Sequence, residues 1–306
     1  MMLAEVVWLA LTSGIALSVF GIGLSATFAD ETFLFRQPGL LLRSVLSMNV
    51  VMFALAIIVV IVLDLHRALE IGLVALSLSP VPPLMPRRLL KAGGTVSAAV
   101  GLVTAMSVLA IVIVPLGVAL AGKLVGEDLR MPLVKVASTV LIAVIVPLSL
   151  GIAFRRFAPR LAERVANPLW FLATALLVLA IVPLLIVVWP RLLSMFGSGI
   201  FPALALFSAT GLAVGHVLGG PDDLHRTVLA LATSTRHPGM ALAIAGFNYP
   251  DEQGVMAVVL SHMVVAGLVA LPYVAWRRRS QARLSNIRGT ETGRRFRRGR
   301  APGEQA

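Results

Sequence analysis

The residues with the most chemistry in this sequence stand inside one of its most apolar stretches. From Leu231 to Gly246 the chain reads LATSTRHPGMALAIAG, with Arg236, His237, Pro238 and Gly239 in the middle. Proline lacks a backbone donor and clashes with the preceding turn, so a helix breaks or kinks here. A break frees backbone N–H groups, and the second half-helix, starting near Gly239, would favour negative charge through its dipole. Arginine adds a bidentate partner for a carboxylate or sulfonate, and His237 could carry a proton. Ser234 and Thr235 could donate to a substrate, although a hydroxyl in such a helix commonly bonds the carbonyl one turn back. Three readings of Arg236 stand open: it contacts an anionic substrate, it pairs with backbone carbonyls of another helix, or it sits at a helix end and snorkels to the headgroups.

An arginine is unusual at this depth because the rest of the chain is built for a bilayer. Of 306 residues, 58% are hydrophobic and 13% charged, about half the charge of a soluble domain. Uncharged runs long enough to cross a hydrocarbon core of roughly 30 Å recur throughout. They do not alternate as barrel strands do. The sequence therefore predicts an all-α polytopic membrane protein. Spans are expected at Leu3 to Phe28, Val45 to Leu63, Ala68 through a break, Thr95 to Ala121, Pro132 to Phe154, Pro168 to Trp189, Ile200 to Leu218, Arg226 to Phe247 and Val255 to Trp276.

The third span supplies the counterpart of the opening stretch. Ala68 to Ser79 is too short to cross alone, and Pro80, Pro82, Pro83 and Pro86 then forbid a continuous helix. The two interrupted spans occupy corresponding places, which is the sequence mark of an inverted-repeat transporter with its site at the repeat interface. The halves are expected at 1–121 and 132–276, forming one transmembrane domain. The prolines at both breaks, Pro238 included, are read as shape-makers. Asn49 is polar inside the second span, and either a helix–helix bond or substrate contact would account for it. His216 and His262, also inside spans, are read as packing residues.

The charge is lopsided. The net charge is +12, and ten arginines from Arg277 onward face only Glu291 and Glu304. Residues 277–306 are expected to form an irregular basic tail that meets anionic lipid headgroups. Its lone Phe296 gives no aromatic interleaving, so nucleic acid is not an expected partner. Nine spans with the tail in the cytoplasm place Arg36, Arg43, Arg87, Arg88, Lys91, Arg155, Arg156, Arg160, Arg164 and Arg226 on the inner side of a plasma or inner membrane, with the N-terminus outside. The chain has no cysteine, and it carries no zinc-protease helix, phosphate-cradling loop or nucleophile elbow. No enzyme and no cofactor are expected.

Several segments together resemble the bile acid:sodium symporter family. They are FGIGLS at Phe20 to Ser25, FRQPGLLLRS, SPVPPLMPRRLLKAGG, TSTRHPGMALAIAG and SHMVVAGLVALP. The resemblance implies a panel domain and a core domain with two broken helices crossing at the core centre, here in a nine-helix version lacking the first helix. It is more distantly similar in scaffold to arsenite permeases and auxin efflux carriers. It also implies sodium as coupling ion, but the family's ligand positions fall at Ala232, Arg236, Met85, Pro86 and near Ala99 and Val103, with Asn49 the one polar counterpart. Sodium prefers oxygen ligands, so the usual sodium sites are expected to be lost. The function implied is secondary transport of a small organic anion by alternating access. Spans three, four, eight and nine would rock against the others. The alternatives are a sodium-independent or proton-linked carrier or channel, and a receptor-like binding protein.

Overall fold

The computed structural model describes residues 2–63, 65–82, 95–194, 199–252 and 254–298. Its helices are α1 (Met2–Gly23), α2 (Pro38–Val62), α3 (Arg67–Leu78), α4 (Val96–Val125), α5 (Leu133–Phe157), α6 (Pro159–Ser194), α7 (Ile200–Leu218), α8 (Asp223–Ser234), α9 (Pro238–Asn248) and α10 (Gly254–Arg298). No strand occurs among the described residues. Seven helices are long and apolar enough to cross a membrane: α1, α2, α4, α5, α6, α7 and α10. The others, α3, α8 and α9, are the short pieces on either side of the expected breaks. The protein is thus an all-α, multi-pass membrane protein. Large apolar side chains such as Ile58, Leu116, Ile142, Phe171 and Leu271 lie more than half exposed, as a lipid-facing surface requires.

Several boundaries fall outside the expected ones. Helix α2 starts at Pro38, not Val45, because proline is pre-set for the first turn. Helix α6 starts at Pro159 and absorbs the basic segment expected to be a loop, whose Arg, Leu, Ala and Glu residues are strong helix formers. Helix α10 continues to Arg298, where an irregular tail was expected; the same propensity argument covers its arginine, glutamine and alanine residues.

The helices pack as two groups. Helices α1, α5 and α6 lie on one another, with Gly23 and Gly151 at the closest approach of α1 to α5. Helices α3, α8, α9 and α10 form the second group, and α2 and α7 pack there too. This changes the expected division, which set spans two and seven against the crossing helices. The cause is visible on α7: a Cβ added at Gly211, Gly215 or Gly219 would come within 2.4–2.8 Å of backbone atoms of the facing α8 chain. Only glycine permits that approach. Helix α4 borders both groups.

One end of the second group is tied by charge. Arg67, at the start of α3, donates to Glu70 and to Glu127 beyond α4, and the Tyr249 hydroxyl after α9 donates to Glu127 as well. The Arg67 guanidinium also stands 5.1 Å from the Tyr249 ring centre. Burial works against the Glu127 charge, but these donors outweigh it and hold the carboxyl below its ordinary range. A depressed acid stabilises the fold above its ordinary pKa, and that stability is lost as pH falls through the lowered value. The Glu127→Gln variant should therefore melt below wild type at neutral pH. The gap should narrow as the pH falls below the ordinary carboxylate range and through the lowered value, where the wild-type carboxylate also takes its proton. A gap independent of pH would mean that the charge contributes nothing.

Candidate anion site at the crossing

Both breaks are extended backbone. Ser79 has φ −72° and ψ 142°, and Thr235 has φ −114° and ψ 148°. They meet directly: the His237 N–H donates to the Pro80 carbonyl at 2.9 Å. Proline at 80 leaves a carbonyl but no donor in its ring, so the pairing is one-sided. Pro80 is buried; Pro83 and Pro86 lie outside the described residues, as do Met85, Arg87, Arg88 and Lys91.

Arg236 sits on this contact with 2% of its surface exposed. Its Nη2 donates to the Met48 carbonyl at 2.8 Å and its Nη1 to the Ser79 carbonyl at 3.5 Å. Met48 lies in a π-helical turn, Leu46–Val51, inside α2. Such turns displace carbonyls from the ordinary ladder and recur at functional sites. One arginine thus links α2, the first break and the second. The third donor, Nε, has no partner among the described residues.

The other residues of the opening stretch are engaged locally. The His237 ring caps α9, its Nδ1 accepting from the Met240 N–H at 3.2 Å, a role that needs that nitrogen unprotonated. The Ser234 and Thr235 hydroxyls both donate to the Leu231 carbonyl, at 3.0 and 2.8 Å. Pro238 occupies the first turn of α9, and Gly239 beside it is exposed. Asn49 is 9% exposed, and its Oδ1 has no partner among the described residues.

Two further groups belong to this place. Along α7, Gly219 faces Arg226, Gly215 faces Leu229 and Ala230, and Gly211 faces Thr233 and Ser234. One turn further along the same helix, towards the second break, stands the buried Ser208. Along α10, Gly254 faces Ala68 and Val258 faces Gly72, so the same step sets His262 beside Leu76, just before the first break. His262 is 1% exposed, stacks edge-on against Phe207 at 5.8 Å, and feels the Arg236 charge. Neither of its nitrogens, nor the Ser208 hydroxyl, has a partner among the described residues. Thr104 and Ser107 on α4 are buried with unpartnered hydroxyls too. A serine in an apolar helix gives no sign in the sequence of whether it will find a partner. His216, by contrast, is the packing residue expected, bonded to the Tyr273 hydroxyl at 2.9 Å.

Buried polar groups left without partners are uncommon and call for an explanation. Here a guanidinium N–H and an imidazole close enough to interact with it lie where two helices are broken. Beside them a groove between α8 and α10 runs from Arg278 past Leu271 and Gly267 to Thr235. Arginine and the start of α9 bias such a place towards an anion.

The profile of the Sodium Bile acid symporter family matches residues 12–195. No curated protein sequence matches the chain. The matched region takes in α1 to α6 and the first break, and ends before the stretch that holds Arg236. It nevertheless covers well over half of the chain, and the helices inside it are those of a multi-pass membrane protein, so the chain belongs to the sodium bile acid symporter family, a family of secondary transporters.

Proposed function

We propose that the protein carries a small organic anion by alternating access and does so without sodium at the family's usual positions. The observation that carries this reading is Arg236, a buried guanidinium at the crossing with its Nε free of any described partner. An anion there would take the Nε–H, with His262 and Ser208 supplying the remaining hydrogen bonds. Movement of α1, α5 and α6 against the crossing helices would alternate the exposure of this place. That division is favoured over the one expected from sequence because α2 is bonded to Arg236 and α7 lies backbone to backbone on α8.

A sodium ion needs oxygen ligands. Of the positions the family resemblance designates, Ala99, Val103 and Ala232 present hydrocarbon and Arg236 a positive charge. Asn49 Oδ1 is one oxygen and cannot make a site alone. The described residues at these positions do not fit the ion, so no step is assigned to it. The charge bias between loops supports a cytoplasmic reading for the basic end of α10. There it would hold anionic headgroups at about 1 kcal/mol per basic residue.

Uptake of a labelled carboxylate and a labelled sulfonate into proteoliposomes tests the reading. At least one should accumulate saturably, at the same rate with choline in place of sodium. Strict dependence on sodium would overturn it.

A further inference from the structure

The segment joining α1 to α2 is one of the covalent links between the two helix groups, and it is not slack. Phe28–Glu31 forms a helical turn closed by a capping box between Thr27 and Asp30. Leu34–Arg36 forms a second turn. The segment lies on Gly101 of α4, where an added Cβ would come within 3.0 Å of the Asp30 carbonyl and the Leu34 nitrogen. Ala26 and Leu34 are each 1% exposed.

Its two neighbouring carboxylates reach to different helices. Asp30 accepts from the Ser97 hydroxyl on α4, and Glu31 accepts from the Ser149 hydroxyl on α5 at 3.1 Å. Helix α5 belongs to the group with α1 and α6, so Glu31 pins the joint to one group while Asp30 pins it to α4. Their surroundings differ. Asp30 also receives the Thr27 N–H and hydroxyl, at 2.8 and 2.7 Å. Burial opposes its charge, but those donors and the nearby Arg155 prevail and hold it below the ordinary carboxylate range.

Glu31 is 9% exposed and has one neutral hydroxyl. On its own turn the facing charge is Asp30. From α5 the facing group is Ser149; Arg155, whose charge acts on Asp30, commits its Nη1 to the Leu24 carbonyl at 3.1 Å. From α4 come Ser97 and Gly101, which carry no charge. His225 at the start of α8 stacks on Phe33, 6.0 Å between centres. No ion pair to Glu31 occurs among the described residues. Burial accordingly raises its proton affinity.

We infer that Glu31 is a proton-binding site that sets how firmly the two helix groups are joined. Protonated, its carboxyl O–H donates to the Ser149 oxygen, and the Ser149 hydroxyl turns to a carbonyl of its own helix. Ionised, the carboxylate is drawn towards water and away from α5, and the proton leaves to the solvent at that end of the molecule. The joint binds the proton more tightly closed than open. Its stability is therefore complete below the ordinary carboxylate pKa and is lost as pH rises through the raised one. This inference does not rest on the anion reading, and no substrate enters its test.

The absence of cysteine makes the test direct. Val96→Cys and Phe157→Cys, at the facing ends of α4 and α5, take spin labels, and the distance between them is measured from about pH 4.5 to about pH 8. In the parent chain the distribution should be narrow in acid and should lengthen or broaden as the pH rises. Glu31→Gln, neutral and of the same shape, should keep the acid distribution throughout. Ser149→Ala removes the oxygen that the protonated carboxyl bonds, so it should leave the distribution long or broad at every pH. A distribution in the parent chain that ignores pH overturns the inference, as does one that titrates equally in Glu31→Gln.

Discussion

Arg236→Ala should abolish saturable anion uptake and lower the melting temperature by several degrees. The two effects have different causes. The stability loss comes from the Met48 and Ser79 carbonyls, which lose the guanidinium that bridges them. A bond to a charged group contributes about 1.5–3 kcal/mol, and a buried acceptor left unpaired costs about 1–3 kcal/mol. The 3.5 Å bond to Ser79 is long and belongs at the low end, so the Met48 bond decides the magnitude. The transport loss comes from Nε, which takes no part in that bridge. Arg236→Lys separates them. An ammonium keeps the charge and can reach one carbonyl, but it has no second edge for the substrate. It should therefore fold nearly as well as the parent while binding the anion roughly ten- to hundred-fold more weakly, the loss of one charged hydrogen bond. Thermal melts together with the concentration dependence of uptake check both. Unchanged uptake in a folded Arg236→Ala protein would leave the arginine a purely structural bridge.

The two breaks and their pairing were legible before any coordinates because proline acts locally. Pro80, Pro82 and Pro238 remove donors or block turns wherever the chain goes, and the family resemblance supplied the idea that the breaks cross. What could not be read was who receives Arg236. The π-helical turn at Leu46–Val51 has no proline and no glycine, so nothing in LSMNVV announces it. The sequence leaves the role of Arg236 open; its Nη atoms take the structural one, while Nε has no partner among the described residues. Ser234 and Thr235 were legible as hydroxyls but not as donors to Leu231, because the choice between substrate and helix backbone turns on a rotamer. Ser208 escaped because a lone serine in an apolar helix looks the same whether its neighbour is another helix or a binding site. The grouping of α2 and α7 with the crossing escaped for a related reason: their contacts are long-range, and the glycines of α7 fix a close approach without naming the partner.

That glycine seam carries the other large effect. Gly215→Ala should destabilise the protein and impair transport, although alanine is the better helix former. The propensity gain is about 1 kcal/mol in an exposed helix. Against it, the new methyl would stand 2.5 Å from the Leu229 carbonyl oxygen and 2.6 Å from Ala230 Cα, which are backbone atoms that cannot rotate away. Overpacking of this kind costs typically 1–3 kcal/mol, and relief requires α8 to move as a body from α7. Gly211→Ala should act in the same sense, against Ser234 Cα and the Thr233 carbonyl at 2.8 Å. It lies nearer the break and so should affect transport more for a given loss of stability. Thr233 is itself held by the Ser47 hydroxyl at 2.7 Å, so a shift there pulls on α2 and on the Met48 carbonyl beyond it. The control is Gly246→Ala on α9, where an added methyl meets nothing within 4 Å, so melting should match or slightly exceed the parent and uptake should match it. Melting curves of the three variants, with uptake measured well below each transition, distinguish a displaced crossing from simple unfolding. If Gly211→Ala melts lower yet carries the anion normally, the position of α8 is not what sets the site.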